Sequence, residues 1–165
     1  MNLLVAADGT ARWGDRTMRC ALGRAGVTRD KREGDHATPA GAMAMRRALY
    51  RSDRVAPPAT ALPLAAIAPE DGWCDAPADP AYNRPVRLPH PASAEALWRA
   101  DGLYDLLVVL GWNDDPVVPG RGSAIFLHLR AEDGSPTEGC VALARDDLLA
   151  VVAAADRDSQ VVIAP

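Results

Sequence analysis

The apolar positions of this chain come in short runs broken by Gly, Pro and Asp, not in the long stripes of period 3.6 that mark helical proteins. The runs predict strands near residues 2–7, 16–22, 63–68, 105–110, 123–128, 140–143 and 161–164. Helical spacing occurs in two places. Ser93 to Arg99 opens on a Ser suited to an N-cap, with Glu95 in the first turn. Asp146 to Ala155 sets Leu148, Leu149, Val151 and Val152 on one face, and Asp146 and Asp147 suit the positive end of the helix dipole. Pro57 to Pro63 and Pro77 to Pro91 are too rich in proline for central strands and read as loops. The pattern predicts a mainly β protein with short helices.

Composition narrows this further. The 165 residues fit one domain, and 48% hydrophobic residues suffice for a sizeable core. A net charge of −4 gives no nucleic-acid footprint, and the local cluster Arg46, Arg47, Arg51 and Arg54 reads as a solvated face. No run approaches the ~18 apolar residues of a membrane span. The start, Met1 to Gly9, lacks a basic n-region and reads as strand and turn, not as a signal peptide. Cys20, Cys74 and Cys140 are odd in number and lack metal-type spacing, so neither a zinc site nor a disulfide framework is expected. Cys20 reads as core, and Cys74 as packing under Trp73. Phosphate loops, Cys-x-x-Cys pairs and Gly-x-Ser-x-Gly elbows are absent, and no cofactor is expected.

The chemistry concentrates near the C-terminus. Gly122 to His128 reads as a buried strand closed by a polar side chain, and Leu129 to Glu138, with Gly134, Ser135 and Pro136, reads as a loop leading back to it. Cys140 then follows Gly139. The attacking form of cysteine is the thiolate, so a nucleophilic thiol needs a proton acceptor beside it, and His128 is a candidate. Gly139 lets the backbone turn sharply and aim its own N–H and that of Cys140 at a developing oxyanion. The bland alternative is a small buried cysteine and a strand-end histidine. Tyr82, Asn83 and Arg84 offer a ring, an amide and a guanidinium in succession, suited to a carboxylate ligand, or else form a surface turn. Trp112 and Asn113 wall the same cleft or close a hairpin.

The stretch from His128 to Leu148 resembles the active-site motif of the L,D-transpeptidase (YkuD-type) family, with the turn here reading Thr137-Glu138-Gly139-Cys140. Gly34-Asp35-His36-Ala37-Thr38-Pro39-Ala40-Gly41 is similar to its Thr-Pro-x-Gly loop. Gly72 to Asp75, Tyr82 to Arg84 and Gly122 to Phe126 resemble a short single-domain bacterial branch. The resemblance implies a β-sandwich-like catalytic domain over residues 1–165, with Cys140 as nucleophile, His128 as base, and Gly139 with Cys140 in the oxyanion hole. It implies peptidoglycan stem peptides as substrate, Tyr82, Asn83, Arg84, Trp112, Asn113 and Thr137 around them, and carbapenem-type β-lactams as inhibitors. A same-fold thiol hydrolase and a cell-wall-binding module are the alternatives. The family acts in the periplasm or cell wall, which sits uneasily with the absence of a visible leader and leaves the cytoplasm open. Two departures stand out. Glu138 replaces the usual histidine, and is expected to face solvent or pair with an arginine. Ala142 replaces a polar residue, leaving Arg84, Arg145 or Asn113 to orient the acyl group.

Overall fold

The computed structural model describes residues 1–165. Strands β1 (Asn2–Val5), β2 (Thr10–Trp13) and β3 (Arg16–Ala21) form an antiparallel meander. The short parallel pair β4 (Val27–Thr28) and β5 (Thr38–Pro39) leads into β6 (Gly41–Tyr50) and β7 (Leu64–Ala66). Next come β8 (Asp71–Cys74), β9 (Pro85–Arg87) and β10 (Ala94–Ala96), then β11 (Leu106–Leu110), β12 (Phe126–Leu129) and β13 (Val141–Leu143). Helix α1 (Arg145–Ala154) and β14 (Gln160–Ile163) end the chain. The chain is mainly β, as its pattern predicts.

The principal sheet runs β11-β12-β13-β3-β2-β1-β14-β6-β7, and β6 also pairs with β11, so the sheet closes on itself. The first half of β6 pairs with β14 and the second half with β11. This long strand escapes the sequence pattern because Ala, Met and Arg favour helix by propensity. Pairing on both edges overrides that preference, with Met43 and Met45 pointing into the core. Three of the clustered arginines on and after it are tied to acids; Arg46 and Arg54 keep the expected exposure, and Arg51 departs from it. Arg46 forks onto Asp114, Arg54 reaches Asp105, and Arg51 is buried against Asp53 and over the Trp98 ring at 3.5 Å.

The β11–β12 hairpin is buried on both faces, which is why its residues read as unbroken apolar runs. Alternation sends Leu106, Val108, Leu110, Leu127 and Leu129 into the closed core, together with Leu148, Val151 and Val152 of α1. The opposite face carries Leu107, Val109 and Phe126 into a second cluster with Trp73, Leu97, Tyr104 and Cys140, beneath the three-stranded sheet β10-β8-β9. That small sheet corrects two expectations. Residues 94–96 form a strand where a helix was expected from Ser93 to Arg99, because β8 takes β10 as its partner, Ala94 opposite Cys74. Residues 85–87 form a strand inside an expected loop. Pro85 is tolerated because β9 is an edge, with the proline at its first position.

Candidate active site

Strands β12 and β13 are parallel, with Leu127 opposite Val141 and His128 opposite Ala142. Cys140, just before β13, therefore lies beside Phe126, and His128 is one two-residue step along the same face. The register thus delivers thiol and imidazole to one side of the sheet, and both line a cleft of about 510 Å³.

The thiol sits between backbone groups. Phe126 N–H donates to Cys140 Sγ at 3.3 Å, and the S–H donates to Ala124 O at 3.2 Å. That carbonyl is aimed by an unusual backbone, since Ala124 has φ 53°. A left-handed alanine costs about 1–3 kcal/mol and needs external support. Asn83 Oδ1 supplies it, accepting Ala124 N–H at 3.1 Å and Trp73 Nε1–H at 2.9 Å, while Asn83 Nδ2 donates to the carbonyls of Trp112 and Asn113. Beyond the left-handed residue β12 begins at Phe126, later than the expected start at residue 123.

The turn before the nucleophile is shaped by Thr137 and Gly139. Thr137 Oγ1 accepts Gly139 N–H at 3.1 Å and donates to Cys140 O at 2.6 Å. Gly139 has φ 141°, and a Cβ there would lie 2.9 Å from Ala37 O, so only glycine fits. The Gly139 N–H, expected to face an oxyanion, is thereby committed to Thr137; the Cys140 N–H has no such partner.

His128 is buried, and its Nδ1 lies 2.8 Å from Leu129 O. A carbonyl only accepts, so the proton resides on Nδ1 and Nε2 is left as an acceptor. Tyr104 stacks edge-on against the imidazole at 5.2 Å and donates its hydroxyl to Glu95, while Arg99 lies 4.9 Å over the Tyr104 ring. Burial lowers the His128 pKa to about 4. Burial first, then the Glu95 charge, pushes the Cys140 thiol up to about 12. At neutral pH the resting pair is thiol and neutral imidazole.

Lys31, the chain's only lysine, is 3% exposed, pairs with Asp35 and borders the Gly139 turn. Glu33 accepts hydrogen bonds from Tyr82 and Ser123 at the same cleft. Glu138 is 65% exposed and pairs with Arg24 and His36. Of the residues expected around substrate, Thr137 lines the cleft. Tyr82, Asn83, Trp112 and Asn113 instead spend their polar groups on the frame behind it: Tyr82 Oη accepts Gly122 N–H, Trp112 Nε1 donates to Arg121 O, and Asn113 Nδ2 donates to Val118 O and Gly122 O. Arg84 is exposed and lies outside the cleft lining, and Arg145 faces Asp105 at 3.8 Å. The cations at the cleft are Lys31 and Arg99, neither of which the sequence pattern singles out. The sole lysine among 18 basic residues was the available signal.

No helix is long and apolar enough to cross a membrane. No curated protein and no solved structure matches the chain. The family model for the L,D-transpeptidase catalytic domain (YkuD) matches residues 2–163, which hold the closed sheet, the cleft and both Cys140 and His128; the chain belongs to that family.

Proposed function

We propose that the protein is a cysteine acyltransferase acting on peptidoglycan stem peptides through a thioester on Cys140. One observation carries the proposal: the thiol shares a cleft with an imidazole whose Nδ1 is tied to Leu129 O and whose Nε2 is left to accept a proton. With both groups neutral at rest, the proton moves as the bond forms. Cys140 Sγ attacks the stem-peptide carbonyl carbon, and its proton passes to His128 Nε2. The Cys140 N–H, with Lys31 close by, stabilises the oxyanion. The tetrahedral intermediate collapses, the C–N bond breaks, and the imidazolium returns the proton to the leaving D-amino acid. An acceptor amine then attacks the thioester, and its proton passes through His128 to the departing thiolate. The buried Tyr104 ring, edge-on to the imidazole, shields that side of the proton transfer from bulk water.

Incubation with defined tetrapeptide muropeptides, with and without an amine acceptor, tests this by mass spectrometry of the products. Cross-linked or amine-exchanged product is expected with the acceptor present. Trimmed tripeptide alone, acceptor or not, would assign a hydrolase, and unchanged substrate with folded protein would assign a binding module.

A further inference from the structure

Outside the cleft, three unlike donors converge on the small sheet. Cys74 ends β8, Asp79 sits in the following turn, and His90 follows β9. Cys74 Sγ, an Asp79 carboxylate oxygen and a His90 ring nitrogen all lie within 4.8 Å of one another. The spacing along the chain matches no metal motif, which is why the sequence pattern gave no warning of a site here.

We propose that Cys74, Asp79 and His90 bind a zinc-type divalent cation. The donor set is one thiolate, one carboxylate and one imidazole, the mixture that zinc takes in a tetrahedral site. His90 Nε2 is buried and faces Asp79 Oδ2 at 3.4 Å, an ion-pair separation, but makes no hydrogen bond. A buried nitrogen without a hydrogen bond costs stability, and a cation between the donors would offset that cost. The oxygen and nitrogen are already at the separation that two ligands adopt around one zinc.

The supporting shell fits as well. Asp79 Oδ1 accepts Ala81 N–H at 2.8 Å, which leaves Oδ2 for the ion. Cys74 is pinned at both backbone groups, its N–H donating to Arg84 O at 2.9 Å and its carbonyl accepting Asn83 N–H at 2.9 Å. Cys74 is fully buried, whereas the Asp79 and His90 side chains keep 18% and 16% exposure, so an ion reaches the sulfur past them. On binding, a sulfur–metal bond forms, the Cys74 thiol proton leaves to solvent, and the His90 lone pair at Nε2 is donated. Water takes the fourth position. The ion would brace the strand that leads directly into Asp75 on the cleft wall.

Cobalt(II) titration of the whole chain tests the assignment. One equivalent is expected to bind with a thiolate-to-metal charge-transfer band. The band should vanish in Cys74→Ser and weaken at least about tenfold in apparent affinity in His90→Ala and in Asp79→Asn. Zinc should raise the Tm of the wild type and leave that of Cys74→Ser unchanged. Circular dichroism of each variant separates loss of the site from loss of the fold, and Asp79→Asn keeps the side-chain volume should Cys74→Ser unfold. A folded wild type without the band at millimolar cobalt would overturn the proposal. So would a band that survives Cys74→Ser and disappears in Cys140→Ala.

Discussion

Phe126 gives its backbone N–H to Cys140 Sγ at 3.3 Å, so the sulfur is held by the strand that also carries His128. A donor aimed at sulfur favours thiolate, yet burial and the Glu95 carboxylate outweigh it and hold the proton on. Lys31 and Arg99 act in the opposite direction. Glu95→Gln should therefore move the pH profile of Cys140 alkylation to lower pH, and Lys31→Met should move it to higher pH. Iodoacetamide rates on the two variants, followed by peptide mapping, check this. A shift of both profiles in the same direction would show that packing, not charge, sets the thiol.

His128→Ala should cost on the order of 10²–10⁴ in turnover, the range for a positioned acid–base group. Because its folded pKa is lowered to about 4 from an ordinary 6.5, the imidazole of the free enzyme stays neutral through that interval. The unfolded chain binds the proton there and the folded chain does not, so His128 reduces stability as pH falls from 6.5 toward 4. Thermal melts across that window should show a pH slope that flattens in His128→Gln. An unchanged slope would place the destabilising proton elsewhere.

Much of this site is legible in the sequence. Cys140 after Gly139 and His128 at the end of an apolar run are local features, and parallel pairing of β12 and β13 brings them to one face of the sheet. The frame is not legible, because it rests on contacts between distant segments. Asn83 looks like a turn residue, but its amide ties together Trp73, Trp112, Asn113 and Ala124. Glu95 reads as a first-turn helix acid, whereas β8 draws its segment into a strand and sets the carboxylate to accept the Tyr104 hydroxyl. Likewise β6 hides behind residues of helical propensity, since only pairing with β14, β11 and β7 makes it extended.

Glu138, where the family motif has histidine, pairs with Arg24 and His36 at the cleft rim and stays largely in water. Exposed pairs of this kind contribute little, about 0–1 kcal/mol. Glu138→Gln should leave the Cys140 alkylation profile nearly unchanged, and Glu138→His should raise activity modestly at most. A large gain on introducing histidine would mean that this turn had drifted from catalysis.

Gly139→Ala should be far more costly. The left-handed backbone alone costs about 1–3 kcal/mol for a residue with a side chain, and the added Cβ would meet Ala37 O at 2.9 Å. A fall in Tm of several degrees is expected, with loss of turnover as the Cys140 turn shifts. Full stability together with full activity would show that the turn relaxes freely.

The most direct test of Cys140 as the acyl-accepting nucleophile is the intact mass of the protein after incubation with a carbapenem, followed by peptide mapping. The β-lactam ring opens on acylation without losing an atom, so one adduct of the full mass of the drug is expected per chain. It should map to Cys140 and be absent from Cys140→Ala. An adduct on Cys20 or Cys74, or none at all on folded wild-type protein, would contradict the assignment.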